Sequence, residues 1–380
     1  MNNKLSFAAF AIAATASFAA AAADYKVGVI TSLSGPISAL GIPYQKGVQA
    51  AQSYKPTIAG RKVQVIVLDD ASDPATAARN ARKLVNDDKV DVLFGTSGVP
   101  GALAIAAVAR ETQTPLISPT PVSVPPDDGG WTVTVSQPFP LMVAATVEKM
   151  KATGVKTVAY IGFSDALGDL AYSSLLKAAE PAGIKVVTDE RYGRGDASVA
   201  GQVLKIVGAR PDAVFAGNSG TPGALPYLGL AERGYKGQIY GTHGLINADF
   251  VRVGGAAVEG LMVPSGPVMV ADQLAADNPV RKVALDFRKA YQQVHGSLPN
   301  DAFSAYTFDA WLLFADAAAR VKSEPGTPEF RKALKDAIAA TRELPGTHGV
   351  FTFKPNDPYG LDKRSALVIK LDKGQWKLAE

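Results

Sequence analysis

The sequence predicts an α/β protein of two lobes, each a parallel sheet flanked by helices. Three observations carry that reading. Short β-branched runs alternate with longer helical stretches, the pattern of strand–helix–strand units. The alternation pauses at "SQPFP" (136–140) and then restarts. One loop is also written twice, as "GTSGVPGAL" at 95–103 and "GNSGTPGAL" at 217–225, with seven of nine residues identical.

The first 23 residues precede this pattern. "MNNKLSFAAFAIAATASFAAAAA" has a lysine near its start, an Ala-rich apolar stretch, and small residues at Ala21 and Ala23. That composition predicts a secretory signal peptide cleaved before Asp24. A membrane anchor is the alternative, but alanine partitions weakly and the stretch runs straight into an A-x-A site. There is no cysteine, so no disulfide, thiolate nucleophile, cysteine–zinc site or lipid-modified N-terminal cysteine is possible. The mature chain is expected free in a bacterial periplasm.

From Asp24 onward, "YKVGVI" (25–30), "KVQVIVL" (62–68), "DVLF" (91–94) and "PLIS" (115–118) read as buried strands. The clearest helix between them starts with Asp73 as N-cap and Pro74 at its first position. Ala77, Ala78, Ala81, Leu84 and Val85 then share one face. After 140 the strands are "KTVAYIG" (156–162), "IKVVTD" (184–189), "DAVFAG" (212–217) and "QIYGT" (238–242). From about 277 helices dominate: "NPVRKVALDFRKAYQQV", "DAFSAYTFDAWLLFADAAARV" and "PEFRKALKDAIAA". Tyr306, Phe308, Trp311 and Phe314 fall at helical spacing and read as core rather than as a cofactor stripe. The tail ends in strand-like pieces, including "ALVIKLD".

Each copy of the repeated loop follows a strand and opens a helix, once per sheet. Ligands of open α/β sheets bind at the carboxyl ends of the strands. The glycines admit a close ligand, and the helix-start N–H groups suit an anion. Two such edges facing one another would form a cleft. The plainer alternative is a pair of tight strand-to-helix turns.

Other chemistry finds little support. The chain has 380 residues, 47% hydrophobic and 19% charged, with a net charge of +4. No basic run carries interleaved aromatics, which argues against nucleic-acid binding. Asp69-Asp70 ends a strand before an Asp-Pro helix start, so turn chemistry explains the pair better than catalysis. The serines at 97, 164 and 219 miss G-x-S-x-G, and His243, His295 and His348 lack zinc spacing. There is no phosphate-binding G-x-x-x-x-G-K-[ST] and no dinucleotide fingerprint. No catalytic residue, metal or cofactor is therefore expected.

Several stretches carry a family resemblance: "VGVITSLSGPISALG", "VLDDASDPATAARNARKLVND", the loop at 95–101, "TPLISPTP", "FSDALGD" and "YGTHG". In this order they resemble the type I periplasmic solute-binding proteins of ABC importers, in the leucine/isoleucine/valine-binding branch. The resemblance implies two Rossmann-like lobes joined by a hinge. Lobe one would be 24–138 with 265–345, and lobe two 139–264 with 346–380. It also implies a small carboxylate ligand handed to permease and ATPase subunits at the inner membrane. The ligand's carboxylate would be held by Ser97, Gly98, Val99, Thr120 and Pro121. Val99 and Val122 stand where hydroxyls are usual, so Ser97, Thr120 and Ser123 are the hydroxyls at hand. Leu167, Ser219 and His243 would line the second wall.

His243 is a departure. Amino-acid-binding relatives place a glutamate in the loop matching "YGTHG", as partner of the ligand's ammonium. An imidazole supplies no negative charge. The substitution favours an aromatic or 2-oxo acid over a branched-chain amino acid, unless His243 merely packs in the wall. The same fold could serve as a sensor domain, and a secreted hydrolase is disfavoured by the missing nucleophile patterns.

Intact mass of the chain recovered from a periplasmic extract should correspond to a start at Asp24 or an adjacent residue. Recovery of the full 380-residue chain in the membrane pellet would contradict the cleavage.

Overall fold

The computed structural model describes residues 24–125, 128–355 and 357–379. The expected signal peptide, 1–23, lies outside them.

The first sheet has six strands in the order Thr57–Ile58, Arg61–Asp69, Tyr25–Thr31, Val92–Gly95, Leu116–Ser118 and Thr132–Thr134. All but the short edge strand run parallel. Parallel sheets need both faces covered, which is why these strands are β-branched and continuous rather than alternating. Helix Pro74–Asn86 covers one face and starts as the sequence indicates. Asp73 accepts from the Thr76 N–H at 2.7 Å, and Ala77, Ala81, Leu84 and Val85 are buried. Helices Ser38–Tyr54, Pro279–His295 and Phe303–Ala319 supply the main core. Tyr306, Phe308, Trp311 and Phe314 are all buried there, as their helical spacing predicts.

The second sheet has seven strands, in the order Gln375–Leu378, Leu367–Asp372, Met262–Ser265, Gln238–Gly241, Ala213–Gly217, Thr157–Phe163 and Lys185–Tyr192. The first two are antiparallel additions from the tail. Packing divides the tail later than position 346. Phe351, Phe353 and Leu361 lie in the first core, because Val350–Phe351 forms a hairpin with Leu344–Pro345. Only the strands from Leu367 onward join the second sheet.

The duplicated loop occupies the same place in both sheets. Tyr25–Thr31 and Thr157–Phe163 are the strands from which each sheet reverses its order. The strand carrying each repeat lies beside that pivot, pairing Ile30 with Gly95 and Gly162 with Gly217. This is the switch point at which α/β sheets open a crevice at their carboxyl ends.

Three segments pass between the lobes, and they meet in one buried cluster. Gln137, on the first crossing, accepts from Tyr306 Oη at 2.7 Å and donates to the Ser365 carbonyl at 3.0 Å on the third. His348 stacks on Tyr306 with centroids 3.8 Å apart. Its Nε2 lies 3.1 Å from the Ala302 carbonyl, which can only accept, so Nδ1 is the bare nitrogen facing Gln137. Gly266, on the second crossing, leaves room for both side chains.

A Cβ at position 266 would lie 2.1 Å from His348 Nδ1 and 2.6 Å from Gln137 Nε2. Gly266→Ala should therefore destabilise the chain by about 1–3 kcal/mol, read as a lower denaturant midpoint. An unchanged midpoint would show that the cluster yields without cost.

Candidate functional site

Between the carboxyl ends of the two sheets lies a small cleft. Ser97, Gly98, Val99, Thr120 and Pro121 line it from the first lobe, and Leu167, Ser219 and His243 from the second. The two repeated loops thus face a common space. Ser123 is not part of it. The chain leaves the cavity after Pro121; Val122 is fully buried, with its carbonyl held by Tyr359 Oη at 3.0 Å, and Ser123 is exposed.

The first-lobe wall is built so that its hydroxyls face inward. Thr31 Oγ1 donates its one hydrogen to the Gly41 carbonyl at 2.9 Å. In its 2.8 Å contact with Ser97, the serine must then be the donor. Ser97 Oγ also accepts from the Ser32 N–H at 3.0 Å. Thr120 Oγ1 donates to the Thr96 carbonyl at 2.5 Å. In this arrangement neither hydroxyl keeps a hydrogen for a ligand. They hold the loops in place, and an anion would meet the first N–H groups of helix Val99–Thr112, which have no partner within the helix. Asp69 and Asp70 prove to be turn residues. They accept from Leu33 N–H, Ser34 Oγ, Ser32 Oγ and Ser72 N–H, and so tie down the loops behind this wall.

On the second-lobe wall, Gly220 takes a positive φ of 64°, which turns its loop back toward the cleft. Thr242 Oγ1 donates to the Asn218 carbonyl at 2.6 Å and accepts from Gly244 N–H at 3.0 Å. This fixes the turn that presents His243. The imidazole is buried beside the Phe139 ring, with centroids 5.5 Å apart, and its Nδ1 has no partner. Burial holds its pKa down at about 4, so it is neutral at pH 7.

Among the lining residues that sequence reading missed are Tyr44, Phe139, Phe303 and Arg194. The three aromatics sit at helix positions that look like ordinary core. Arg194 did carry a signal, since it follows directly on the carboxyl end of strand Lys185–Tyr192. No Asp or Glu is among the described lining residues.

Residues 24–358 match the model of the periplasmic binding protein family. The chain belongs to that family. Within it, this periplasmic binding protein has the type I fold. It is 28% identical over 356 residues to Leu/Ile/Val-binding protein homolog 3 of Brucella melitensis, covering 88% of this chain and 90% of that one. An extracellular ligand-binding receptor from Rhodopseudomonas palustris HaA2 superposes with a TM-score of 0.90 at 39% identity, covering 94% and 100%. The leucine-binding protein LivK of Thermotoga maritima gives 0.80 at 25% identity, covering 94% and 98%. These relatives are binding proteins, and this chain is likewise not an enzyme.

The buried imidazole has a stability consequence. Its folded-state pKa lies below the unfolded value of 6.5, so its stabilisation is complete above pH 6.5 and is lost as the pH falls toward 4. Asp309 works in the opposite sense. Burial raises it to about 7, so its contribution is full below the ordinary carboxylate range and fades as pH rises through 7. Comparing wild type with His243→Leu isolates the imidazole. The variant should lose less stability between pH 7 and pH 4, by about 3 kcal/mol at pH 4, in unligated urea titrations. Parallel pH profiles would show that His243 is solvated.

Proposed function

We propose that this periplasmic binding protein captures a small organic acid lacking an ammonium group and delivers it to a membrane permease with its ATPase. One observation carries the ligand reading: the cleft contains no described Asp or Glu, and a neutral His243 stands in the loop where the family resemblance places an ammonium's partner. A buried ammonium without a counter-charge costs on the order of 3–5 kcal/mol. A carboxylate, in contrast, suits the helix-start N–H groups of the first lobe. Tyr44, Phe139, Phe303, Leu40 and Leu167 surround the space with apolar surface that favours an aromatic or aliphatic body. Closure of the lobes over the acid excludes water and strengthens each hydrogen bond. The closed form then differs in shape from the open one, which is what a permease can recognise. The signal peptide expected at 1–23 and the family's periplasmic setting support capture outside the inner membrane.

The test is calorimetric titration with leucine, phenylalanine, 4-methyl-2-oxopentanoate, phenylpyruvate and benzoate. At least one acid should bind more than a hundredfold tighter than the amino acid of similar shape, a gap of about 3 kcal/mol. His243→Glu should narrow or reverse that gap. Tight binding of leucine with no binding of the acids would return the chain to the branched-chain amino acid specificity that its relatives' names carry.

A further inference from the structure

Arg194 is held on three sides within the second-lobe wall. Its guanidinium lies 4.0 Å from the centroid of the Phe163 ring. Its Nε donates to Asp165 Oδ2 at 2.6 Å, and Nη1 donates to Ser219 Oγ at 3.2 Å. Asp165 is itself fixed, because Oδ1 caps helix Ala166–Ala182 by accepting from Leu167 and Gly168 N–H groups at 2.9 and 3.2 Å. The remaining nitrogen, Nη2, is buried and has no hydrogen-bond partner. Arg194 and Ser219 both line the ligand cavity.

Packing alone would be served by the Phe163 and Asp165 contacts and would not explain a buried charged donor left open beside the cleft. Such a donor is costly unless something accepts from it. Ser219 adds a second donor. Its oxygen already accepts from Arg194, so its hydrogen remains to be given, the reverse of Ser97.

We infer that Arg194 Nη2 and the Ser219 hydroxyl form an acceptor subsite, so that the preferred acid carries a second oxygen besides its carboxylate. This rests on the organic-acid reading above. Charge decides the kind of oxygen. Asp165 already neutralises Arg194 one for one, so a second carboxylate would enter the enclosed cleft without a counter-charge of its own. An uncharged hydroxyl or carbonyl oxygen takes both donors and adds no charge. Arg194 is thus a specificity-determining residue rather than the anchor of the carboxylate.

The experiment compares matched pairs by calorimetry: hexanoate with 6-hydroxyhexanoate, benzoate with 4-hydroxybenzoate, and 4-methylpentanoate with 4-methyl-2-oxopentanoate. Wild type should favour the oxygen-bearing member of at least one pair by about tenfold or more. In Arg194→Met that ratio should fall to within about twofold, and Ser219→Ala should lower it part of the way. Arg194→Gln, which keeps a neutral donor, should give an intermediate ratio and carries the test if the methionine variant fails to fold. Equal binding of both members of every pair by wild type would overturn the inference. So would a preference that survives in all three variants. Binding of leucine while no acid binds would sink the organic-acid reading itself, and the subsite with it.

Discussion

The lobes are joined where three chain segments close on one amide. Gln137 uses both ends of its side chain, accepting from Tyr306 and donating to the Ser365 carbonyl, while its nitrogen also faces the bare Nδ1 of His348. The first and third crossings are thus tied to each other and to Tyr306 by buried hydrogen bonds. Gly266 completes the arrangement by offering no side chain. The cleft inherits its alignment from this joint, since the two sheets must present their carboxyl ends to each other.

That alignment explains the duplicated loop. Both copies follow the strand beside the pivot of their sheet, and both reach the common cavity. Similar sequence does not give them similar chemistry. Ser97 directs its hydrogen back toward Thr31, so it acts as a tie between loop and sheet. Ser219 instead accepts from Arg194, so its oxygen is the acceptor rather than the donor. The difference comes from the neighbours: a threonine whose own hydrogen is already engaged on one side, and a guanidinium with only donors on the other.

The electrostatics of the cleft follow from what is absent among its described lining residues and from what is buried. With no carboxylate there, a neutral imidazole at position 243 cannot stand in for one. Arg194 brings positive charge, but Asp165 cancels most of it locally. The lining is therefore close to neutral.

The α/β class, the two sheets, the Asp73 cap and the burial of the Tyr306–Phe314 aromatics were legible in the sequence. Those features depend on periodicity and local hydrogen bonding, which neighbouring residues specify. The sequence also marked eight cavity residues, because switch-point loops have a recognisable glycine-rich form and the family pattern fixes their order. Ser123 was misplaced for lack of information on where the chain turns after Pro121. Which hydroxyls keep a hydrogen could not be read from the sequence, since proton direction depends on partners such as Thr31 and Gly41 brought together by folding. Arg194 likewise gained its meaning only when Phe163 and Asp165 on one segment and Ser219 on another closed around its guanidinium and left one buried nitrogen without a partner.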